Sequence, residues 1–340
     1  MKRTLIIHVG MGKTGSSSIQ KTLRMARQSL EKSGIKYLGL MLEHIELPNK
    51  YKWQKAGGWR DYTMLDSAQA NNELAHVLKF ADEKLPASIT TLVWSNESLF
   101  DRLEDVKAAI ETLHDRYDIR IVGYIRRPDS WITSAYLQWG IKHKTYDGPL
   151  KPFRAWVSDK PYVVSVKAES WYAISENACF YNFDNIGDVS KQFVEDELHL
   201  SSESIPYLRE NDTPGPPAMA LFAYHNSLAK GQVLPDELEP LLRQAGVTQN
   251  FQRSPAYNNL LPNEVDVSRY LEKQRDEIDR VNQLLEKGGQ PAFDLSELKV
   301  KDYSTTILDT NRALLQLILH LSQEVNQLKA RINERGNNND

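Results

Sequence analysis

Cysteine is all but missing from this chain. Cys179 is the single example in 340 residues. One thiol excludes an intramolecular disulfide and a cysteine-rich zinc site. Its setting, Ala178-Cys179-Phe180-Tyr181, is apolar and reads as a buried structural thiol. With no disulfide framework, the plain expectation is a cytoplasmic protein. Long apolar runs are missing too: none approaches the ~18 residues of a membrane span. The basic start Met1-Lys2-Arg3 leads into a short apolar run broken at His8, with no small-residue cleavage site after it, so no signal peptide is expected. Nor is there a surplus of either charge. Lys and Arg number 42 against 45 Asp and Glu, a net charge of -3. That balance argues against a nucleic-acid partner and leaves room only for local basic patches.

What is present suits a folded protein. Hydrophobic residues make up 41% and charged residues 26%, enough apolar material for a sizeable core. The length fits about two domains, or one large α/β domain with insertions. A β-branched apolar run predicts a buried strand over residues 4–9, followed by a Gly-rich turn over 10–15. Ile19, Leu23, Ala26 and Leu30 recur at helical spacing, and Gly34 is a good stop, which predicts a helix over 16–32. Further strands are expected over 35–42, 90–94, 119–125 and 178–183, and helices over 67–83 and 103–117. Pro128 opens another helix, running to about residue 142. Such alternation predicts an α/β fold, a central mostly parallel β-sheet flanked by helices. Beyond the breaker Asn211-Asp212-Thr213-Pro214-Gly215-Pro216-Pro217 the pattern turns helical. The expected organisation is an α/β core over 1–210, a mainly helical part of the same domain over 211–300, an amphipathic C-terminal helix over 301–335 and a disordered tail over 336–340. In the C-terminal helix, Leu314, Ile318, Leu321, Val325, Leu328 and Ile332 are spaced 4, 3, 4, 3, 4. The stripe suits either packing on its own domain or pairing with a second copy.

The strongest local pattern is His8-Val9-Gly10-Met11-Gly12-Lys13-Thr14-Gly15-Ser16-Ser17-Ser18-Ile19-Gln20, between a strand and a helix. A helix N-terminus offers unpaired N–H groups and a positive dipole end, and an anion is its natural occupant. Gly12 and Gly15 let the backbone wrap closely, Lys13 supplies charge, and Thr14, Ser16, Ser17 and Ser18 add hydroxyl donors. The ATPase pattern G-x-x-x-x-G-K-[ST] is matched in spacing by Gly10 and Gly15, but Ser16 stands where that lysine belongs. The pattern therefore reads as phosphate binding without NTP hydrolysis. The alternative is a tight strand–helix turn with solvated polar residues. A second pattern is Arg126-Arg127-Pro128, where a strand ends in arginine and a proline starts a helix; Ser134 follows eight residues after Arg126. An arginine fork with a nearby hydroxyl can hold a second phosphate at the C-terminal edge of a sheet. The plainer reading puts Arg126 in a surface salt bridge and Ser134 merely on a helix face.

The pairing of Gly-x-x-Lys-Thr-Gly-Ser-Ser after the first strand with Arg-x7-Ser after a later one resembles the sulfotransferases that use 3′-phosphoadenosine 5′-phosphosulfate (PAPS). It is most similar to a bacterial branch that looks like glycan sulfotransferases. The resemblance is clear over residues 4–24 and 119–140 and fainter over 177–200. It implies a P-loop NTPase-like sulfotransferase fold. It also implies that Lys13 meets the 5′-phosphosulfate near the bridging oxygen. Ser16, Ser17 and the Gly15 backbone would hold the 5′-phosphate, and Arg126 and Ser134 the 3′-phosphate. Where many members carry threonine, this chain has Ser16 and Ser17, which keeps the hydroxyls. Ser18 stands where the cytosolic small-molecule branch has an aromatic for adenine, so the grip on adenine is open.

Sulfuryl transfer needs an in-line arrangement, a stabilised leaving phosphate and a base on the acceptor hydroxyl. No metal is required by this logic, and no cluster of His, Cys and Asp shows ligand spacing. Glu97, at the end of the strand before that of Arg126, is the first candidate base. Glu43, with His44 and Glu46, is the rival set after the second strand. A carboxylate capping backbone donors is the alternative for Glu97, a surface histidine for His44, and a core residue bonded to backbone for His8. Trp53, Trp59 and Arg60, in a loop rich in aromatic and basic residues, suit stacking on sugar rings, and Lys142 and Lys144 form a second basic cluster with Tyr146. The alternative is a solvated loop whose tryptophans fold into the core. The implied acceptor is a glycan or another hydroxylated small molecule. Two other functions fit parts of the sequence: a P-loop nucleotide kinase or NTPase, and a non-catalytic nucleotide-binding assembly protein that oligomerises through its C-terminal helix.

Overall fold

The protein is described from a computed structural model, covering residues 2–201, 205, 214–227, 229–234, 238–246 and 255–337. The breaker residues 211–213 and the tail residues 338–340 lie outside the described residues. The chain divides into two compact units that exchange segments along the sequence. The first comprises Met1–Pro128, Tyr162–Glu210 and Gln274–Ser296; the second comprises Asp129–Pro161, Asn211–Lys273 and Glu297–Asp340.

The first unit is built on a five-stranded sheet. Its strands are β1 (Arg3–Gly10), β2 (Ile35–Tyr37), β3 (Thr91–Ser95), β4 (Tyr117–Ile125) and β5 (Ala178–Asn182), in the order β2-β3-β1-β4-β5. All four pairings are parallel. A parallel sheet is covered on both faces, so its strands read as continuous apolar runs. Leu5, Ile6, Ile7 and Val9 of β1 are buried accordingly. After β1 (the central strand) the chain leaves toward β2; after β4, its neighbour, it leaves toward β5. The direction of winding thus reverses between β1 and β4, the place where open α/β sheets present a crevice at their C-terminal edge.

The predicted helix over 16–32 is two helices, α1 (Ser16–Met25) and α2 (Arg27–Lys32), joined at Ala26. Ile19, Leu23, Ala26 and Leu30 still face one core, with Ile6, Val93, Val122 and Phe193. Burying each large aliphatic side chain there contributes about 1.5–3 kcal/mol. Strand β2 is shorter than the predicted 35–42. Its pairing with β3 ends at Tyr37, and Gly39 (φ +93°) and Leu42 (φ +56°) then bend the chain away. The predicted helix over 103–117 survives only as Lys107–Glu111. Leu103, Val106, Ile110 and Leu113 are buried at helical spacing, but Asp105 and Val106 donate to carbonyls three residues back, tightening the first turn into a 3-10 helix. Arg120 on β4 pairs with the fully buried carboxylate of Glu197, which also accepts from Tyr181 Oη at 2.5 Å; these bonds pin the helical stretch after β5 to the sheet.

The second unit is helical among its described residues. Pro128–Ala135 enters it and continues as a π-helical stretch, Tyr136–Lys142. Asn226, on the helix Pro216–Ser227, closes that stretch by donating to Ile141 O at 2.6 Å and Lys142 O at 3.1 Å. Asp129 is buried and accepts from the Ser130 and Lys299 backbone N–H groups at 2.7 Å each. The C-terminal helix runs Ile307–Asn337, two residues into the expected tail.

Candidate functional site

The loop after β1 is shaped by three residues in the left-handed region: Gly10 (φ +84°), Lys13 (φ +72°) and Gly15 (φ +82°). At Gly10 a Cβ would sit 2.7 Å from Glu97 Cβ and 2.9 Å from its Cα, so the absent side chain lets the Glu97 backbone close in. At Gly15 a Cβ would meet Val189 Cγ2 at 2.6 Å. Lys13 has no such licence. A non-glycine residue in this region costs about 1–2 kcal/mol and persists only where its surroundings hold it. Neighbouring loop residues are restrained in two ways. Met11 N donates to Tyr124 O at 3.2 Å, tying the loop to β4, and Thr14 Oγ1 donates to Met11 O at 2.5 Å, closing the turn from within.

Helix α1 opens directly from this loop. Gly15 is its N-cap, no side chain caps it, and no acidic residue lies in its first turn. The outward N–H groups and dipole of that end are therefore not met by a carboxylate of the helix itself. Ser16 Oγ is buried and, among the described residues, has no hydrogen-bond partner. A buried hydroxyl without a partner is uncommon in a native fold, and here it sits in the first turn of α1. Ser17 and Gly12 are half-buried, and Ser18 is buried.

Arg126 follows β4 immediately. Its Nη1 donates to Lys13 O at 2.8 Å, and its guanidinium lies 5.2 Å from the centroid of the Phe183 ring. Its own carbonyl accepts from Tyr162 Oη at 2.8 Å, and the next amide, Arg127 N, donates to Asp184 Oδ2 at 2.8 Å. The arginine thus braces the strained residue of the loop and brings a guanidinium to the same sheet edge. Ser134 belongs to the second unit. It is buried on the helix Pro128–Ala135, and among the described residues its Oγ has no partner.

Glu97 stands beside the loop through its contact with Gly10. Its Oε2 accepts from Gln20 Nε2 at 2.5 Å, and Gln20 is one turn along α1 from Ser16. The strand end before it is locked: Asn96 N donates to His8 O, and Asn96 Oδ1 accepts from Ser98 N. Glu43 is engaged differently, accepting from Met41 N at 2.8 Å and Leu40 N at 3.3 Å, which folds the turn after β2. His44 Nδ1 lies 3.2 Å from Tyr37 O, and burial lowers its pKa. His8 is a core residue, although its bond is to the Ser95 hydroxyl (2.7 Å from Nδ1) and not to backbone; burial lowers its pKa to about 3, so the ring is neutral.

The aromatic loop folds inward in part. Trp53 is 1% exposed, donates from Nε1 to Glu73 Oε2 at 2.7 Å and stacks on Tyr51. Its ring is core and is not offered to a sugar. Trp59 is half-buried against Tyr62, and Arg60 is exposed. The same loop borders a cavity of about 260 Å³ through Tyr51, Lys52, Trp53 and Asp61; Gln69 also lines it, whereas Trp59 and Arg60 do not. Lys142 and Lys144 are buried rather than displayed. Lys142 pairs with Glu239 at 2.9 Å, and Lys144 Nζ donates to Ala229 O at 2.6 Å and Gly231 O at 2.9 Å. A surface basic cluster was expected at this turn; tertiary contacts take both charges instead.

Sequence reasoning did not single out Gln20, Phe183 or Tyr162. Gln20 was within reach, since it follows Ser16 by four residues on one helix face. Phe183 follows β5 directly, and its place beside Arg126 depends on β4 and β5 being neighbours. Tyr162 carries no local signal. Among the described residues no group of three or more His, Cys, Asp or Glu side chains could hold a metal ion, and no helix is long and apolar enough to cross a membrane.

No protein-family model and no curated protein matches the sequence. Among solved structures, the chain is similar to retinol dehydratase in a complex with retinol and PAP, at 11% identity and a TM-score of 0.22, over 66% of this chain and 65% of that one. It is also similar to retinol dehydratase in complex with androsterone and inactive cofactor PAP, at 11% identity and a TM-score of 0.22, over 94% of this chain and 81% of that one. A TM-score of 0.22 marks a superposition too loose to bear on function.

Proposed function

We propose that the protein is a sulfotransferase that takes a sulfuryl group from PAPS and delivers it to an acceptor hydroxyl. The observation that carries this reading is the strained Lys13 loop at the tip of β1, opening into an uncapped helix and braced on its carbonyl by Arg126 from the tip of β4. Two cationic residues at one switch point suit a nucleotide with two separate anionic ends. Lys13 and the first-turn donors of α1 serve the 5′-phosphosulfate, with the unpartnered Ser16 hydroxyl among them. The guanidinium of Arg126 serves the 3′-phosphate. Ser134, on the second unit, is assigned to that phosphate by the family resemblance.

The reaction forms a bond from the acceptor oxygen to sulfur as the bond from sulfur to the bridging phosphate oxygen breaks. The acceptor proton passes to Glu97, whose carboxylate Gln20 orients. The products are a sulfate ester and 3′-phosphoadenosine 5′-phosphate (PAP). Charge grows on the leaving phosphate, and Lys13 is the group matched to it. Glu97 is preferred to Glu43 and His44 as base because it abuts the loop at Gly10, whereas both Glu43 oxygens are taken by backbone amides of their own turn. A carbohydrate acceptor follows from the resemblance, with the half-buried Trp59 and exposed Arg60 as its candidate contacts.

Calorimetry with PAP against ATP, followed by transfer of labelled sulfate from PAPS to a panel of glycans, phenols and steroid alcohols, tests the reading. PAP should bind at least about 100-fold tighter than ATP, a gap of roughly 2.7 kcal/mol. ATP binding with magnesium-dependent hydrolysis would instead identify a kinase or NTPase. PAP binding without transfer to any acceptor would favour the nucleotide-binding assembly protein.

A further inference from the structure

The C-terminal helix Ile307–Asn337 has one face packed within its own unit and an apolar stripe left exposed. Asp309 and Ala313 are buried, Leu317 and His320 are half-buried, and His320 Nε2 lies 3.4 Å from Gln244 Oε1. That face holds the helix down. The stripe runs through Leu314, Ile318, Leu321, Val325, Leu328 and Ile332, all exposed, from 39% at Leu314 to 67% at Ile332. From Leu321 to Lys329 every residue is exposed. A 31-residue helix with six large aliphatics in water along one seam is far from the usual surface helix.

The seam has a heptad register. Placing Leu314, Leu321 and Leu328 at d puts Ile318, Val325 and Ile332 at a. In these three heptads each d position is leucine and each a position is β-branched, the combination that favours two parallel strands over three or four. One heptad earlier, Ile307 falls at d and Asn311 at a, both exposed. A single asparagine at a fixes register and strand number, because only in register can the two amides satisfy each other. The flanking charges agree. In a parallel pair a g residue faces the e residue five positions on in the other helix, so Glu324 at g meets Lys329 at e, once on each side. Laid antiparallel with all six seam positions overlapping, the same helices would oppose Glu324 to Glu324.

We infer that the C-terminal helix pairs two copies of this chain as a parallel, in-register, two-stranded coiled coil. The occupant of the seam is a second copy because the seam complements itself in shape, polarity and charge. The inference is independent of the nucleotide site and would hold for a protein of any activity.

The test is the mass of the full-length protein by size-exclusion chromatography with light scattering, at about 10 μM. Wild type should elute at twice the chain mass. The double variant Ile318→Glu/Val325→Glu should elute at one chain mass with an unchanged circular dichroism spectrum, since both residues are exposed in the single chain. A wild-type monomer, a trimer or larger species, or a double variant that remains dimeric would overturn the proposal. Orientation is read in a Cys179→Ser background carrying Val325→Cys. Equal a positions meet only in a parallel pair, so mild oxidation should cross-link the dimer, and a dimer that fails to cross-link would refute the parallel arrangement. Glu324→Lys should raise the dissociation constant about tenfold, and adding Lys329→Glu should restore it; no change from either would refute the register.

Discussion

Two lysines in this chain have positive φ, Lys13 at +72° and Lys144 at +34°, and they have opposite fates. Lys144 is fully buried, with its ammonium on the carbonyls of Ala229 and Gly231. Those bonds hold its strained backbone and use its charge inside the protein. Lys13 is half-buried on a loop, and its backbone is held from outside by Arg126 on its carbonyl. Lys144 O also accepts from Val233 N at 3.3 Å, so a neighbour's donor meets the lysine carbonyl in both places, and what differs is the burial of the side chain. Backbone strain thus points to a candidate ligand site at Lys13, on a half-buried loop, and not at Lys144, whose ammonium is fixed in the interior.

Removing each lysine breaks this contrast most directly. Lys13→Ala should lower the rate of sulfuryl transfer by about 100- to 1,000-fold, the usual cost of losing one preorganised group on developing charge. PAP affinity should fall far less, because the leaving-group charge peaks in the transition state. Equal losses in steady-state turnover and in calorimetric affinity would reduce Lys13 to a binding residue. Arg126→Ala comes next. It removes a charge-assisted donor from the nucleotide and the brace from Lys13, so PAP affinity should drop about 10- to 100-fold. Calorimetry giving wild-type affinity would end the two-anion reading of the switch point. Lys144→Met should leave kcat and PAP affinity within a factor of two. It should lower unfolding stability in urea by about 1–3 kcal/mol, because two buried carbonyls lose their donor. A kinetic defect without a stability loss would reverse the contrast.

The loop was legible in the sequence because its determinants are local. A β-branched run, glycines at fixed spacing and a helical repeat from Ile19 onward lie within thirty residues. The parallel sheet was legible from strand–helix alternation. The order β2-β3-β1-β4-β5 was not, since it depends on which strands meet across more than about fifty residues. The partnership of Gln20 with Glu97 was hidden for the same reason: it requires β3 beside β1 and a glycine at position 10 to admit the Glu97 backbone. The helix expected over 103–117 failed because apolar spacing of 3, 4 and 3 is served equally well by successive 3-10 turns and one short α-turn. The charges of Lys142 and Lys144 suggested a surface, and only the tertiary packing of the second unit shows both engaged in its interior.

The smallest expected effects belong to Ser16 and Ser134, and they sharpen the contrast most. A buried hydroxyl without a partner weakens the ligand-free protein, since its desolvation is not offset by a hydrogen bond. Replacing either serine with alanine should therefore leave the stability of the ligand-free protein unchanged or raise it, by up to about 1 kcal/mol. A hydroxyl that meets a phosphate in the complex behaves oppositely on binding, and its loss should weaken PAP about three- to tenfold, one neutral hydrogen bond. Thermal shift with and without PAP separates the two. For Ser16→Ala and Ser134→Ala the ligand-free midpoint should hold or rise while the PAP-induced shift shrinks. Lys144→Met should show the reverse, a lower ligand-free midpoint and a full PAP-induced shift. If the serine variants instead lost stability and kept the full shift, their hydroxyls would be structural like the Lys144 ammonium, and the anion site would rest on Lys13, Arg126 and the backbone of α1 alone.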